Sequence, residues 1–140
     1  MATRHTFGFA LVLFLLSGYS TKISAQCAST GNSSDGYFTG LRQVVFNTID
    51  NSTILEDNDY SDFTGISTTV SQSISYDLSV YVNTDGDYTV NTMVWIDWNQ
   101  DLDFDDAGES YTLGTATNVV AGATGSSPLS VTIPATATLG

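Results

Sequence analysis

Between Ser73 and Val80 the residue type switches at every step, and Val82 and Asn83 keep the phase beyond Tyr81. Ile74, Tyr76, Leu78, Val80 and Val82 fall on one side, and Ser73, Ser75, Asp77, Ser79 and Asn83 on the other. Only an extended chain sends successive side chains to opposite faces, so this stretch is predicted as a strand with one face buried and one solvated. The alternation returns at Tyr88, Val90, Thr92, Val94 and Ile96, after the turn-forming Asp85-Gly86-Asp87. An Asp-Gly step between two such runs predicts that they pair as an antiparallel hairpin. Weaker strands are predicted at Leu41–Asp50, Gly65–Val70, Ser110–Thr115 and Leu129–Ile133, parted by Gly, Asn, Ser and Asp clusters that favour turns. Thr112 to Ser127 is rich in Ser, Thr and Gly but carries Val119 and Val120, so it reads as strand and loop and not as linker. After the first 25 residues no segment spaces apolar residues at three and four over a helical length. The expected fold is all-β, an antiparallel β-sandwich about one domain in size.

The N-terminus obeys a different rule. Arg4 and His5 precede the apolar run Phe7 to Leu16, and a short polar stretch leads to Ala25, which is the order of a helical secretory signal peptide. Gly18, Ser20 and Lys22 interrupt the run before it reaches the about 20 apolar residues that a membrane helix needs, so no span is expected in the mature form. Cleavage is expected after Ala25, dividing the chain into a signal, 1–25, and a mature portion, 26–140. Lipid attachment at Cys27 is the competing reading, and Gln26 opposes it because a small residue is required there. Cys27 is the only cysteine, which in an exported protein implies a missing partner, an intermolecular bridge or a free thiol. A missing partner fits best with the C-terminus, where the alternating Ser130-Val131-Thr132-Ile133 is followed by Leu139-Gly140 with no closing element. The expectation is a truncated domain. Asn32-Ser33-Ser34 and Asn51-Ser52-Thr53 match glycosylation acceptors but read as turns.

Export removes Arg4 and Lys22 and no acid, so one basic residue, Arg42, faces 15 acidic ones and the net charge becomes −14. Such a surface is repelled by phosphate backbones and anionic lipid, so nucleic acid and membrane-surface partners are not expected. Cations are the natural partners. The mature portion also holds no His and no Lys. That closes His-bound zinc sites, Ser-His-Asp and Cys-His nucleophile systems and the phosphate-loop lysine. A carboxylate pair about 5 to 9 Å apart could still act on a glycosidic bond, but nothing singles out such a pair. No enzyme is expected.

Chemistry concentrates between Trp95 and Glu109. Side-chain oxygens recur at Asp97, Asn99, Asp101 and Asp103, and Glu109 follows. Calcium takes about 6 to 8 oxygen ligands at about 2.3 to 2.6 Å, and alternate residues of a tight loop can supply them, with a terminal Glu closing the shell through both oxygens. Calcium is therefore the expected cofactor, with Asp97, Asn99, Asp101, Asp103 and Glu109 as ligands and Phe104 pinning the loop to the core. The pattern departs from the helix-loop-helix hand in three ways: a strand enters it, Leu102 stands where Gly permits the sharp turn, and Glu109 falls one place late. A non-glycine residue in a left-handed conformation costs about 1 to 2 kcal/mol, so the turn is expected to relax at Leu102 and the affinity to fall.

Tyr60-Ser61-Asp62-Phe63-Thr64, then Trp95-Ile96-Asp97-Trp98-Asn99-Gln100-Asp101 running on to Gly108-Glu109, and finally Ser130-Val131-Thr132-Ile133-Pro134-Ala135 resemble the GEVED domain of exported bacterial proteins. The resemblance spans nearly the whole mature chain. It implies a β-sandwich accessory module of large secreted or surface proteins, found beside peptidases, adhesive repeats and a sorting domain, commonly in Bacteroidetes. It also implies that the Gly-Glu-Val-Glu-Asp motif belongs downstream of Ile133-Pro134, and that Cys27 pairs with a cysteine just before that motif. Asp97, Asn99, Asp101, Asp103 and Glu109 match the family's acidic loop, with Leu102 in place of its usual Gly.

Two functions follow as expectations. In one, this is a calcium-stiffened module for binding or spacing outside the cell, taking a glycan or a surface protein, with Trp95, Tyr81, Tyr88, Tyr111 and Trp98 as candidate stacking faces. In that set Trp98 shares the face of Val94 and reads as core, while Trp95 lies opposite. In the other, it is the non-catalytic part of a secreted metallopeptidase.

Overall fold

A computed structural model describes residues 38–52 and 61–139. The signal segment, Cys27, Asn32 and Tyr60 lie outside the described residues. Seven strands are present there: β1 (Gly40–Phe46), β2 (Ile49–Ser52), β3 (Ser75–Asn83), β4 (Thr89–Trp95), β5 (Ser110–Thr117), β6 (Gly122–Ala123) and β7 (Leu129–Thr132). Every pairing is antiparallel, and the described residues contain no helix, as the period-two pattern and scarcity of helix formers predict.

β3 is the central strand. β1 pairs along one of its edges and carries β2 beyond it, while the other edge is shared by β7 against Ser75–Leu78 and β6 against Tyr81–Val82. β4 and β5 form a second sheet. The alternation read from the sequence becomes burial directly. Leu78, Val80 and Val82 of β3 meet Val131 of β7 and Leu113 and Ala116 of β5 in one core, and Val44, Phe46, Val90, Val94 and Trp98 pack around it. The two sheets thus face each other across apolar side chains, as a sandwich requires.

The expected hairpin between the two clearest strands does not form. β3 and β4 follow one another in sequence but lie in different sheets, so the chain crosses the core between Asn83 and Thr89. Thr84 fixes this corner. It is fully buried, its N–H donates to Val119 O at 2.9 Å, and its hydroxyl accepts the Val119 N–H at 2.9 Å and donates to Gly86 O at 2.8 Å. Asp85 and Gly86 take the left-handed backbone that the Asp-Gly step foretells, but they turn the chain from one layer to the other.

Two further expectations are corrected. Leu41–Asp50 is not one strand: the chain reverses at Asn47 and Thr48, with Asn47 at φ 51°, so that Phe46 pairs with Ile49. Gly65–Val70 forms no strand. It is held beside that reversal through side chains, with the Asn47 amide donating to Thr68 Oγ1 and Thr69 O and the Thr48 and Thr68 hydroxyls 2.7 Å apart. The Asn47 amide thus occupies the Thr69 carbonyl, which a strand ladder would otherwise use.

Candidate metal-binding loop

The acidic loop joins β4 to β5, and the sheet clamps both of its ends. Trp95 pairs with Ser110, and the Ile96 N–H donates to Glu109 O at 2.9 Å. Within it, the repeated Asp and Asn side chains reach forward to the backbone. Asn99 Oδ1 accepts the Asp101 N–H at 3.0 Å, Asp101 Oδ1 accepts Asp103 N–H at 3.1 Å, and Asp103 Oδ1 accepts Asp105 N–H at 2.9 Å. An Asp or Asn oxygen readily reaches the N–H two residues on, which is why spacing by two curls the chain continuously. Asp97 grips harder, with one oxygen accepting the Gln100 N–H at 2.6 Å and the other the Leu102 N–H at 3.0 Å.

These bonds hold Gln100 at φ 61° and Leu102 at φ 76°. The expected relaxation at Leu102 is therefore absent. The left-handed turn persists with a leucine in it, at a cost of about 1 to 2 kcal/mol that the Asp97 carboxylate helps to offset. Phe104 is half-buried but is not among the side chains packed on the core. Anchoring falls to Trp98, which packs against the core, donates its indole N–H to Tyr111 Oη at 3.0 Å and accepts the Thr138 N–H on its carbonyl at 2.6 Å.

Glu109 is the exceptional residue. Gly108, at φ 94°, allows the reversal that turns Glu109 inward, where it is only 2 % exposed. One carboxylate oxygen accepts the Trp98 N–H at 2.8 Å, and the other, Oε2, is buried without a hydrogen-bond partner. Buried carboxylate oxygens are normally satisfied, because removing one from water without compensation is costly. Glu109 also lines a cavity of about 280 Å³, together with Trp98, Asn99, Asp106, Ala107 and, from the segment after β7, Pro134 and Thr136. Asn99 Nδ2 donates to Asp101 Oδ2 at 2.8 Å and to Asp106 Oδ2 at 2.6 Å, so one amide lies between two carboxylates.

Of the five residues predicted as ligands, Asn99 and Glu109 line this cavity and Asp101 is tied to it through Asn99, while Asp97 and Asp103 turn oxygens towards backbone amides. Among the described residues no three His, Cys, Asp or Glu side chains come together closely enough to hold a metal ion. Asp106 was not predicted. Its position three residues before Glu109, whose N–H donates to Asp106 O at 3.3 Å, is the signal that could have found it. Elsewhere, the Thr64 N–H at 2.9 Å holds the exposed Asp62 carboxyl below the usual carboxylate range.

The candidate stacking faces separate. Trp98 and Tyr111 pack on the core and bond to one another, and Tyr81 is half-buried, whereas Trp95 and Tyr88 are 51 % and 52 % exposed. Among the described residues no helix is long and apolar enough to cross a membrane.

No curated protein and no solved structure matches this chain. GEVED domains are non-catalytic accessory modules of extracellular proteins. The family model of the GEVED domain matches residues 91–140 of this chain, a segment that takes in most of β4, the acidic loop and β5 to β7, so the resemblance read from the motifs is upheld there.

Proposed function

We propose that this chain is a non-catalytic, calcium-stabilised module for binding or spacing in a secreted or cell-surface protein, with a role in adhesion. The observation that carries the reading is Glu109, whose buried Oε2 lacks a partner beside a cavity rimmed by further oxygen-bearing side chains. A hard divalent cation is the partner that such an oxygen calls for. Asp97, Asn99, Asp101, Asp103 and Glu109 hold it, with Asp106 added because Asn99 already links it to Asp101. The Asn99 amide, a weak neutral donor between two carboxylates, occupies the kind of position that a cation takes. Calcium is favoured over magnesium because a loop built from adaptable side chains suits its variable coordination, whereas magnesium demands a near-ideal octahedron. The bound ion supplies cross-linking and charge neutralisation, converting the repulsion among Asp97, Asp101, Asp103, Asp105, Asp106 and Glu109 into rigidity.

Isothermal titration of the secreted chain with calcium tests this. Saturable binding is expected, lost in Asp97→Ala and in Asp101→Ala while magnesium binds more weakly. A protein with β-type circular dichroism that gives no calcium heat overturns the proposal.

A further inference from the structure

We infer that the outer face of the β4–β5 sheet is a docking surface for a neutral polysaccharide. The inner face of this sheet is spent on the core through Val90, Val94, Tyr111, Leu113 and Ala116. The outer face is composed of four cross-strand pairs, Thr89 with Thr117, Asn91 with Thr115, Met93 with Thr112 and Trp95 with Ser110, and all eight residues are exposed. None is charged, in a chain with 15 acidic residues. From Thr89 to Trp95 the strand rise gives the face a length of about 20 Å.

Each feature narrows the occupant. Trp95 is 51 % exposed and Met93 beside it 40 %, so an indole and a thioether form an apolar step on an open sheet. Around that step, the Asn91 amide and the hydroxyls of Ser110, Thr112 and Thr115 have no hydrogen-bond partner among the described residues, while Thr89 and Thr117 pair with each other at 2.7 Å. Two apolar side chains within a field of hydroxyls are too little for the apolar centre of a protein interface. They match a sugar ring, which offers C–H groups to an aromatic face and hydroxyls to its surroundings. The absence of charge leaves nothing to hold a polyanion, which the net charge of the chain repels, or a polycation. An open surface of this length also suits a chain of sugars better than a single one, which would need an enclosing pocket.

This inference rests on the binding half of the function proposed above and is independent of the metal. The test is retention of the secreted chain, in calcium, on insoluble cellulose, chitin and starch and on the acidic polymer alginate. Retention is expected on at least one neutral polymer and not on alginate. Trp95→Ala is expected to weaken it at least tenfold with no change in melting temperature, and Trp95→Phe to restore part of it. Folded protein retained on none of the neutral polymers, or equal retention of Trp95→Ala, overturns the inference. So does dimerisation that Trp95→Ala abolishes in the absence of any polysaccharide binding, because the face then belongs to a second copy. Calcium titration of the same preparation separates the two proposals: intact calcium binding without retention removes only this one, and retention without calcium binding removes only the metal.

Discussion

Glu109 and Leu102 are both residues that a loop chosen for stability alone would not contain. Leu102 keeps a left-handed backbone and is 39 % exposed, so little packing accompanies the strain. Leu102→Gly removes about 1 to 2 kcal/mol of that strain and returns about 0.5 to 1 kcal/mol through the freer unfolded chain. The variant is expected to be more stable by up to about 1.5 kcal/mol, a rise of several degrees in scanning calorimetry. A fall in melting temperature would show that the leucine side chain supports the loop. The position was readable from the sequence because the surrounding acids set the register of the motif, but the outcome was not. Spacing shows where a turn must fall, whereas whether the turn relaxes depends on how firmly Asp97 holds the Leu102 N–H. The spacing marks Glu109 as the end of the acidic motif but does not reveal its burial, since Glu is among the residues least often buried.

At the scale of the strands, Thr84 decides the topology. Thr84→Val keeps shape and β-propensity but removes the acceptor for the Val119 N–H and the donor to Gly86 O, leaving buried backbone groups unsatisfied. A loss of about 1 to 3 kcal/mol is expected in denaturant unfolding, and an unchanged midpoint would mean that the corner is held without the hydroxyl. This corner also explains the failed hairpin. Alternation assigns each residue to a face, and β3 and β4 present the same inward sets whether they lie side by side or across a core. It therefore specifies faces and leaves neighbours open. The long alternating segments were legible for that reason, and β5 and β7 likewise. The reversal at Asn47-Thr48 was not, because it lacks the glycine that marks tight hairpins. The apolar residues of Gly65–Val70 carry no sign that Asn47 and Thr48 hold Thr68 and Thr69 of the same segment.

Across the whole molecule, the acidic loop and the segment after β7 are mechanically one unit. The Thr138 N–H and hydroxyl donate to the carbonyls of Trp98 and Asn99, and Pro134 and Thr136 complete the cavity beside Glu109. The loop and the segment after β7 thereby share one set of contacts, and an ion at Glu109 would stabilise the domain as a whole. Metal at a hundred times its dissociation constant contributes about 2.7 kcal/mol to the folded state. The most direct measurement is thermal unfolding of the wild type and of Glu109→Gln, each in excess calcium and in excess chelator. In calcium the wild type is expected to melt well above its chelated form, while Glu109→Gln melts at one temperature in both solutions and, in chelator, at or above the wild type, because the amide oxygen still accepts the Trp98 N–H and no carboxylate oxygen is left buried without a donor. A wild type that melts identically in calcium and in chelator would contradict the calcium assignment.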